Sequence, residues 1–176
     1  MMKASLENIL RTTSHRPYPL PSGPWVMQQT WNRLLFAHWP LPPKLLEPLI
    51  PQRLKLGTFG SHAYVSVLPF EMRDVRMRML PRIPLASQMF QINIRTYVQR
   101  DDKPGVYFLA LFTDHLPTVW LTRLTLGLPY NHARISLRNG FVGTRREVQC
   151  ISERTDCNGE RARLNDALMW LPRIVE

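Results

Sequence analysis

The chain has 176 residues, 44% of them hydrophobic and 20% charged. That length and composition fit one folded domain with a sizeable core and exclude both two ordinary domains and wholesale disorder. The formal charge of +10 is diffuse, with 17 Lys and Arg against 7 Asp and Glu in residues 1–142 and 6 of each in 143–176. Without a basic helix, an RNA-binding aromatic motif or zinc-finger spacing, specific nucleic-acid binding is not expected.

Residues 5–11 read as a short helical or disordered segment, and Pro17, Pro19, Pro21 and Pro24 remove backbone donors and fix φ, so residues 1–24 form an extended arm. This N-terminus has no apolar block of the signal-peptide kind, and no run approaches the roughly 20 apolar residues of a membrane span. The expectation is a cytoplasmic protein with no membrane span. WVMQQTWNRLLFAHWP reads as a strand with Trp25 and Trp31 as packing anchors. LPPKLLEPLIP is a brief helix entered at Pro42 or Pro43 and stopped before Pro51, since proline suits a first turn and blocks an interior.

TFGSHAYVSVLPFEMRDVRMR suggests two strands hinged near Pro69, covered on both faces. It carries the densest basic knot, Arg73, Arg76 and Arg78 with Arg82 just beyond, broken by Glu71 and Asp74. In the next strand Gln91, Asn93, Arg95 and Tyr97 alternate with Ile92, Ile94, Thr96 and Val98, which puts all four polar side chains on one face. Facing a cavity, Arg95 is a preformed anion receptor whose planar fork matches a carboxylate; facing water, it belongs to a solvated strand. QRDDKPG is a hairpin turn with Asp102, Pro104 and Gly105 supplying the turn chemistry, and VYFLALF is a deeply buried strand.

PTVWLTRLTLGL has a helical apolar rhythm, with Pro117 near its start and Gly127 near its end, and should cross the sheet. HARISLRNG and REVQCISER read as strands joined by a turn at Asn139-Gly140. Cys150 and Cys157 lack a CxxC or histidine neighbour, so free thiols are expected, with no metal and no cofactor indicated. The fold class is α+β, a predominantly antiparallel, strongly curved sheet with a few short helices, its domain at 25–154 and a tail at 155–176.

Four stretches in order carry a resemblance: LLFAHWPLPP, PQRLKLGTFGSHAYVSVLPFEM, NIRTYV followed by PGVYF, and GLPYNHA. Over roughly residues 25–138 the chain resembles the uncharacterised YqjF-like family of the acetoacetate decarboxylase-like superfamily. The resemblance implies a cone-like β-barrel with a central pocket, here an incomplete one, and favours a cavity-facing Arg95. The decarboxylases of that superfamily use a Schiff-base lysine after a Gly-aromatic-Pro turn, with a second lysine lowering its pKa. Here that turn reads Gly127-Leu128-Pro129-Tyr130-Asn131, with tyrosine and asparagine in the lysine places. The four lysines are Lys3, Lys44, Lys55 and Lys103. Gln91 replaces the glutamate expected on the central strand, and His38 corresponds to a basic residue near the first barrel strand.

Amine-dependent decarboxylation is therefore not expected, because Schiff-base chemistry needs a neutral, nucleophilic amine. The pocket implied by the resemblance retains Arg95 as charge partner, Gln91 and Asn93 as neutral donors, Tyr97 and Tyr130 as hydroxyl donors, and His38 or His132 as a titratable group. A small organic acid or carbonyl compound is the partner such a set fits. His38 also reads as a hydrogen-bonded core imidazole, Tyr130 as an anchor for a backbone carbonyl, Asp114-His115 as a strand end and Arg123 as an exposed helix residue. No GxSxG elbow supports a serine hydrolase.

Three readings follow. A binding module for an organic acid needs the fewest coincidences; a lysine-independent enzyme would use Tyr130 and a histidine as acid and base; a truncated family member would have no function. After Arg154 the pattern is lost, giving the expectation of either a divergent helix at 161–171 in the tail or an altered or truncated reading frame, with truncation favoured. The resulting open sheet edge would favour self-association and marginal solubility.

Overall fold

A computed structural model describes residues 6–14, 18–80, 88–142, 145–154, 163–164 and 169–170. After helix α1 (Leu6–Arg11) come strands β1 (Met27–Asn32) and β2 (Ala37–Leu41), then α2 (Pro43–Leu46), which continues as a 3-10 turn at Glu47–Leu49. Strands β3 (Lys55–Leu56) and β4 (Thr58–Phe59) precede the long β5 (His62–Met77), β6 (Gln88–Arg100) and β7 (Lys103–Thr113). Helix α3 (Leu116–Leu126) leads into β8 (Tyr130–Val142), β9 (Arg145–Arg154), β10 (Arg163–Leu164) and β11 (Met169–Trp170).

The protein is mostly sheet with few helices, ordered β1-β5-β6-β7-β8-β9-β10, with β2 and β4 also on β5, β3 on β6 and β11 on β9. The expectation of a predominantly antiparallel sheet needs correcting. β7 and β8 run parallel, Leu111 opposite Tyr130 and Thr113 opposite His132, so the sheet is mixed. The cause is α3: a helical crossover returns the chain in its original direction, which a tight hairpin cannot do. Nor is a barrel closed among the described residues, where the sheet is open.

Local chemistry explains the other departures. The first expected strand is two, β1 and β2, broken where Arg33 takes φ 51°. β5 does not hinge at Pro69 but runs through it as one strand. Pro69 lies where β5's neighbour changes from β2, which ends its pairing at Val67, to β1, which begins at Glu71, and its carbonyl accepts from Leu35 N–H. The missing proline N–H therefore faces a gap between strands and forfeits no ladder bond.

The β6–β7 turn is tighter than expected. Asp101 (φ 49°) and Asp102 (φ 60°) make a two-residue turn of the type I′ kind, leaving Pro104 and Gly105 inside β7. Asn139 and Gly140 lie within β8, paired with Val148 and Glu147; the β8–β9 connection, residues 143–144, is outside the described residues. Of the segment expected to be helical, the described residues stand in strand, Arg163–Leu164 and Met169–Trp170, both paired with β9.

α3 matches its sequence signals, with Pro117 in its first turn and Gly127 ending it in the left-handed conformation at φ 61°. His115 caps it, its Nδ1 accepting from Thr118 N–H at 3.3 Å. One face of the sheet buries Ile92, Ala133 and Ile135 against Val67, Phe90, Ile94 and Phe112. The other holds Phe70, Met72 and Met89 at one end and Leu111, Val119 and Tyr130 beside them, packed by Phe108 and Leu128. Val119 comes from α3, so the helix covers this second face at its Leu111 end. VYFLALF is accordingly buried at Leu111 but exposed at Val106, beyond the helix's reach.

Candidate functional site

Register places the candidate residues in rows across the second face. His38 of β2, Ser66 of β5, Arg95 of β6 and Phe108 of β7 form one row; Leu68, Asn93, Leu111 and Tyr130 form the next; Phe70, Gln91, Thr113 and His132 the third. Strand alternation turns every member of a row to the same side. These rows run from buried to solvated: Ser66 and Thr113 are fully buried, Gln91 is 1% exposed and Asn93 4%, Arg95 and Tyr97 are half-buried, and His38 is exposed and so is not a core imidazole.

At the Gln91 end every polar group is used. Tyr130 donates its hydroxyl to Gln91 Oε1 at 3.2 Å, and Gln91 Nε2 points at the sulfurs of Met89 (3.4 Å) and Met72 (3.9 Å). Burial raises the Tyr130 pKa, partly countered by this hydrogen bond, so the phenol stays protonated and serves as a donor. Its partner is a side-chain amide where a backbone carbonyl was the simplest expectation.

At the accessible end, Ser66 donates to Tyr97 Oη at 3.0 Å, and His38 Nδ1 lies 2.8 Å from Ser66 Oγ and 3.4 Å from Tyr97 Oη. The His38 ring leans on Phe36, centroids 4.5 Å apart, and lies 6.1 Å from the Tyr97 ring at 17°. Arg95 Cζ sits 5.0 Å above the Phe36 ring, a cation–π distance. Desolvation, then the Arg95 charge, lowers the His38 pKa, which favours a neutral imidazole.

Arg95 has no carboxylate partner among the described residues, and its Nε is buried without an acceptor; Asn93 Oδ1 is likewise buried without a donor. Of the basic knot, Arg82 is outside the described residues, and Arg73 lies on the opposite face. There Glu71, 1% exposed, accepts from Arg73 Nε at 2.8 Å and Gln88 Nε2 at 2.7 Å, with Arg33 Nε 3.6 Å away.

The structure thus brings His38, Arg95 and Tyr97 together at one end and Gln91 with Tyr130 at the other, with Asn93 between. His132 stands apart, opposite Thr113 and near Asp114. The Asp114 carboxylate accepts from Phe90 N–H at 2.9 Å; desolvation raises its pKa. Arg123 binds Tyr130 O at 2.7 Å and Asn131 Oδ1 at 3.1 Å, fastening α3 to β8. Lys44, Lys55 and Lys103 are exposed; Lys3 is outside the described residues. Sequence reading missed Ser66 and Phe36. The Ser66 alternation was legible, but its pairing with His38, 28 residues away, is a matter of register. Among the described residues no cluster of His, Cys, Asp and Glu could hold a metal.

This architecture is that of the acetoacetate decarboxylase-like proteins. Acetoacetate decarboxylase from Legionella pneumophila aligns with a TM-score of 0.54 and 16% identity, covering 88% of this chain and 61% of that one. An acetoacetate decarboxylase-like enzyme from Sphingomonas wittichii RW1 gives 0.59 and 16%, over 78% and 56%. The enduracididine biosynthesis enzyme MppR, complexed with pyruvate, gives 0.51 and 13%, over 83% and 57%. The chain belongs to DUF2071, a family described as an uncharacterised conserved protein, whose pattern matches residues 28–169. It is 44% identical over 122 residues to the uncharacterised protein YqjF of Bacillus subtilis (strain 168), a match covering 69% of this chain and 50% of that protein. The chain therefore spans about half the length of the curated relative it matches.

Proposed function

We propose that the face carrying Arg95 binds a small organic acid or a carbonyl compound and does so without amine catalysis. The observation that carries this reading is the Arg95 Nε, buried with no acceptor and with no carboxylate beside it among the described residues. An unsatisfied buried donor of this kind costs about 1–3 kcal/mol, more for a charged group, and a ligand carboxylate would remove that cost. Support comes also from MppR, a protein of this fold complexed with pyruvate. The exposed positions of Lys44, Lys55 and Lys103, and Tyr130-Asn131 after the Gly127 turn, favour binding over Schiff-base chemistry.

The test is native mass spectrometry or a thermal-shift screen against short keto acids, aromatic acids and fatty acids, repeated with Arg95→Ala. Stabilisation of the native protein that vanishes in the variant is expected. If no acid stabilises the native protein, or the variant responds equally, the reading fails.

A second reading, lysine-independent acid/base chemistry, draws on the network at the accessible end, and it moves the roles. Tyr130 is engaged by Gln91, whereas His38 and Tyr97 share Ser66 beside Arg95. Exchange of a bound keto acid's α-protons in D2O, lost in His38→Gln, is its signature.

A further inference from the structure

Resting on the reading of Arg95 as an acid receptor, we infer that the ligand is a short hydroxy acid and not the corresponding keto acid. The inference starts from two atoms of opposite character. Arg95 Nε can only donate and Asn93 Oδ1 can only accept, and both are buried without a partner. They stand two residues apart on one face of β6, about 6–7 Å between Cα atoms, so one small molecule can meet both.

Three other polar groups of this face are already engaged. Gln91 is engaged by Tyr130 and two sulfurs, Ser66 by His38 and Tyr97, and Thr113 Oγ1 accepts from His115 N–H. Asn93 itself lies between Leu68 (0% exposed) and Leu111 (1%) in its row, an apolar setting in which a missed hydrogen bond is not replaced by bulk water.

A carboxylate satisfies Arg95, but it has no proton to give Asn93 at neutral pH, and neither has a ketone oxygen. A keto acid would therefore leave Asn93 Oδ1 as it is, whereas an alcohol O–H supplies the missing donor. An ammonium group could donate as well, but it would put a second cation beside Arg95 where no carboxylate among the described residues offsets either. Sites built around a buried polar group reject analogues that leave it unpaired. Hydroxy acids should accordingly bind at least about tenfold more tightly than their keto counterparts.

Isothermal titration of the native protein with two matched pairs, lactate against pyruvate and 3-hydroxybutyrate against acetoacetate, tests this, with 2-methoxypropionate as a control that keeps the oxygen and loses its proton. The expected result is a tenfold or greater preference for the hydroxy member of at least one pair. The methoxy acid should bind no better than the keto acid, and Asn93→Leu should bring the two members of the pair to within about twofold of each other. Equal or tighter keto-acid binding in both pairs, or a methoxy acid as good as lactate, overturns the inference and leaves the Arg95 reading intact. Absence of binding by all five acids overturns the inference, and the Arg95 reading falls with it only if the aromatic and fatty acids of the wider screen fail to stabilise the protein as well. Should Asn93→Leu fail to fold, the methoxy comparison decides the matter in the native protein.

Discussion

Replacing Arg95 with methionine should make the ligand-free protein more stable, although a charged residue is lost from a face with hydrogen-bonding neighbours. The side chain is half-buried, its Nε has no acceptor among the described residues, and its Cζ lies over the Phe36 ring at 5.0 Å. Removing an unsatisfied buried donor returns about 1–3 kcal/mol, while losing a partly exposed cation–π contact costs about 0.5–1 kcal/mol. Methionine keeps an unbranched apolar stem against Phe36, so the net gain is about 1 kcal/mol, or roughly 2–4 °C in Tm for a domain of this size. Saturating acid reverses the order, because a ligand at 100 times its Kd stabilises the native protein by about 2.7 kcal/mol and leaves the variant unmoved. Calorimetry of both proteins, dialysed free of carboxylates and then with acid added, reads the crossing. If Arg95→Met is less stable without acid, the guanidinium is a structural member of the sheet and the argument from its missing acceptor is refuted.

Three further outcomes follow from the same geometry. Phe70→Ala removes a fully buried ring stacked on Trp31 at 4.4 Å and should cost about 3–5 kcal/mol in urea unfolding; a loss below 1 kcal/mol would mean that this end of the sheet is loosely packed. Gly127→Ala puts a Cβ at φ 61° with nothing within 4 Å of it, so the cost is conformational strain alone, about 1–2 kcal/mol, and acid binding should be unchanged. His38 has a folded pKa below its usual 6.5, so the unfolded chain takes up the proton first, and its contribution to stability, full above about pH 6.5, is lost as pH falls through the folded value. The same protonation adds a positive charge beside Arg95, so acid affinity should rise as pH falls toward the lowered folded pKa of His38 in the native protein and stay flat in His38→Gln. Titration calorimetry at several pH values checks this.

Local patterns were legible in the sequence and register was not. The period-two alternation from Gln91 to Tyr97 placed four polar side chains on one face, and Pro117 and Gly127 bracketed α3, because each signal lies within a few residues. Ser66 and Phe36 escaped notice because their roles arise only when β2, β5 and β6 align, bringing His38 within 2.8 Å of Ser66. Pro69 misled for the same reason, since its tolerance depends on a gap between β1 and β2. The parallel return of β8 follows from the length and path of α3, which no strand pattern encodes. Trp25, expected as a packing anchor, lies beneath Arg76 and Arg78, 5.4 and 5.9 Å from its ring, partners that no local pattern names.

The most direct measurement is a 15N–1H spectrum of the arginine side chains, with the Arg95 Nε–H signal assigned by its loss in Arg95→Lys. Adding a short organic acid should move that signal downfield and slow its exchange with water, with the other arginine signals unchanged. An Arg95 Nε–H that exchanges freely before the acid is added and does not shift afterwards would contradict the account.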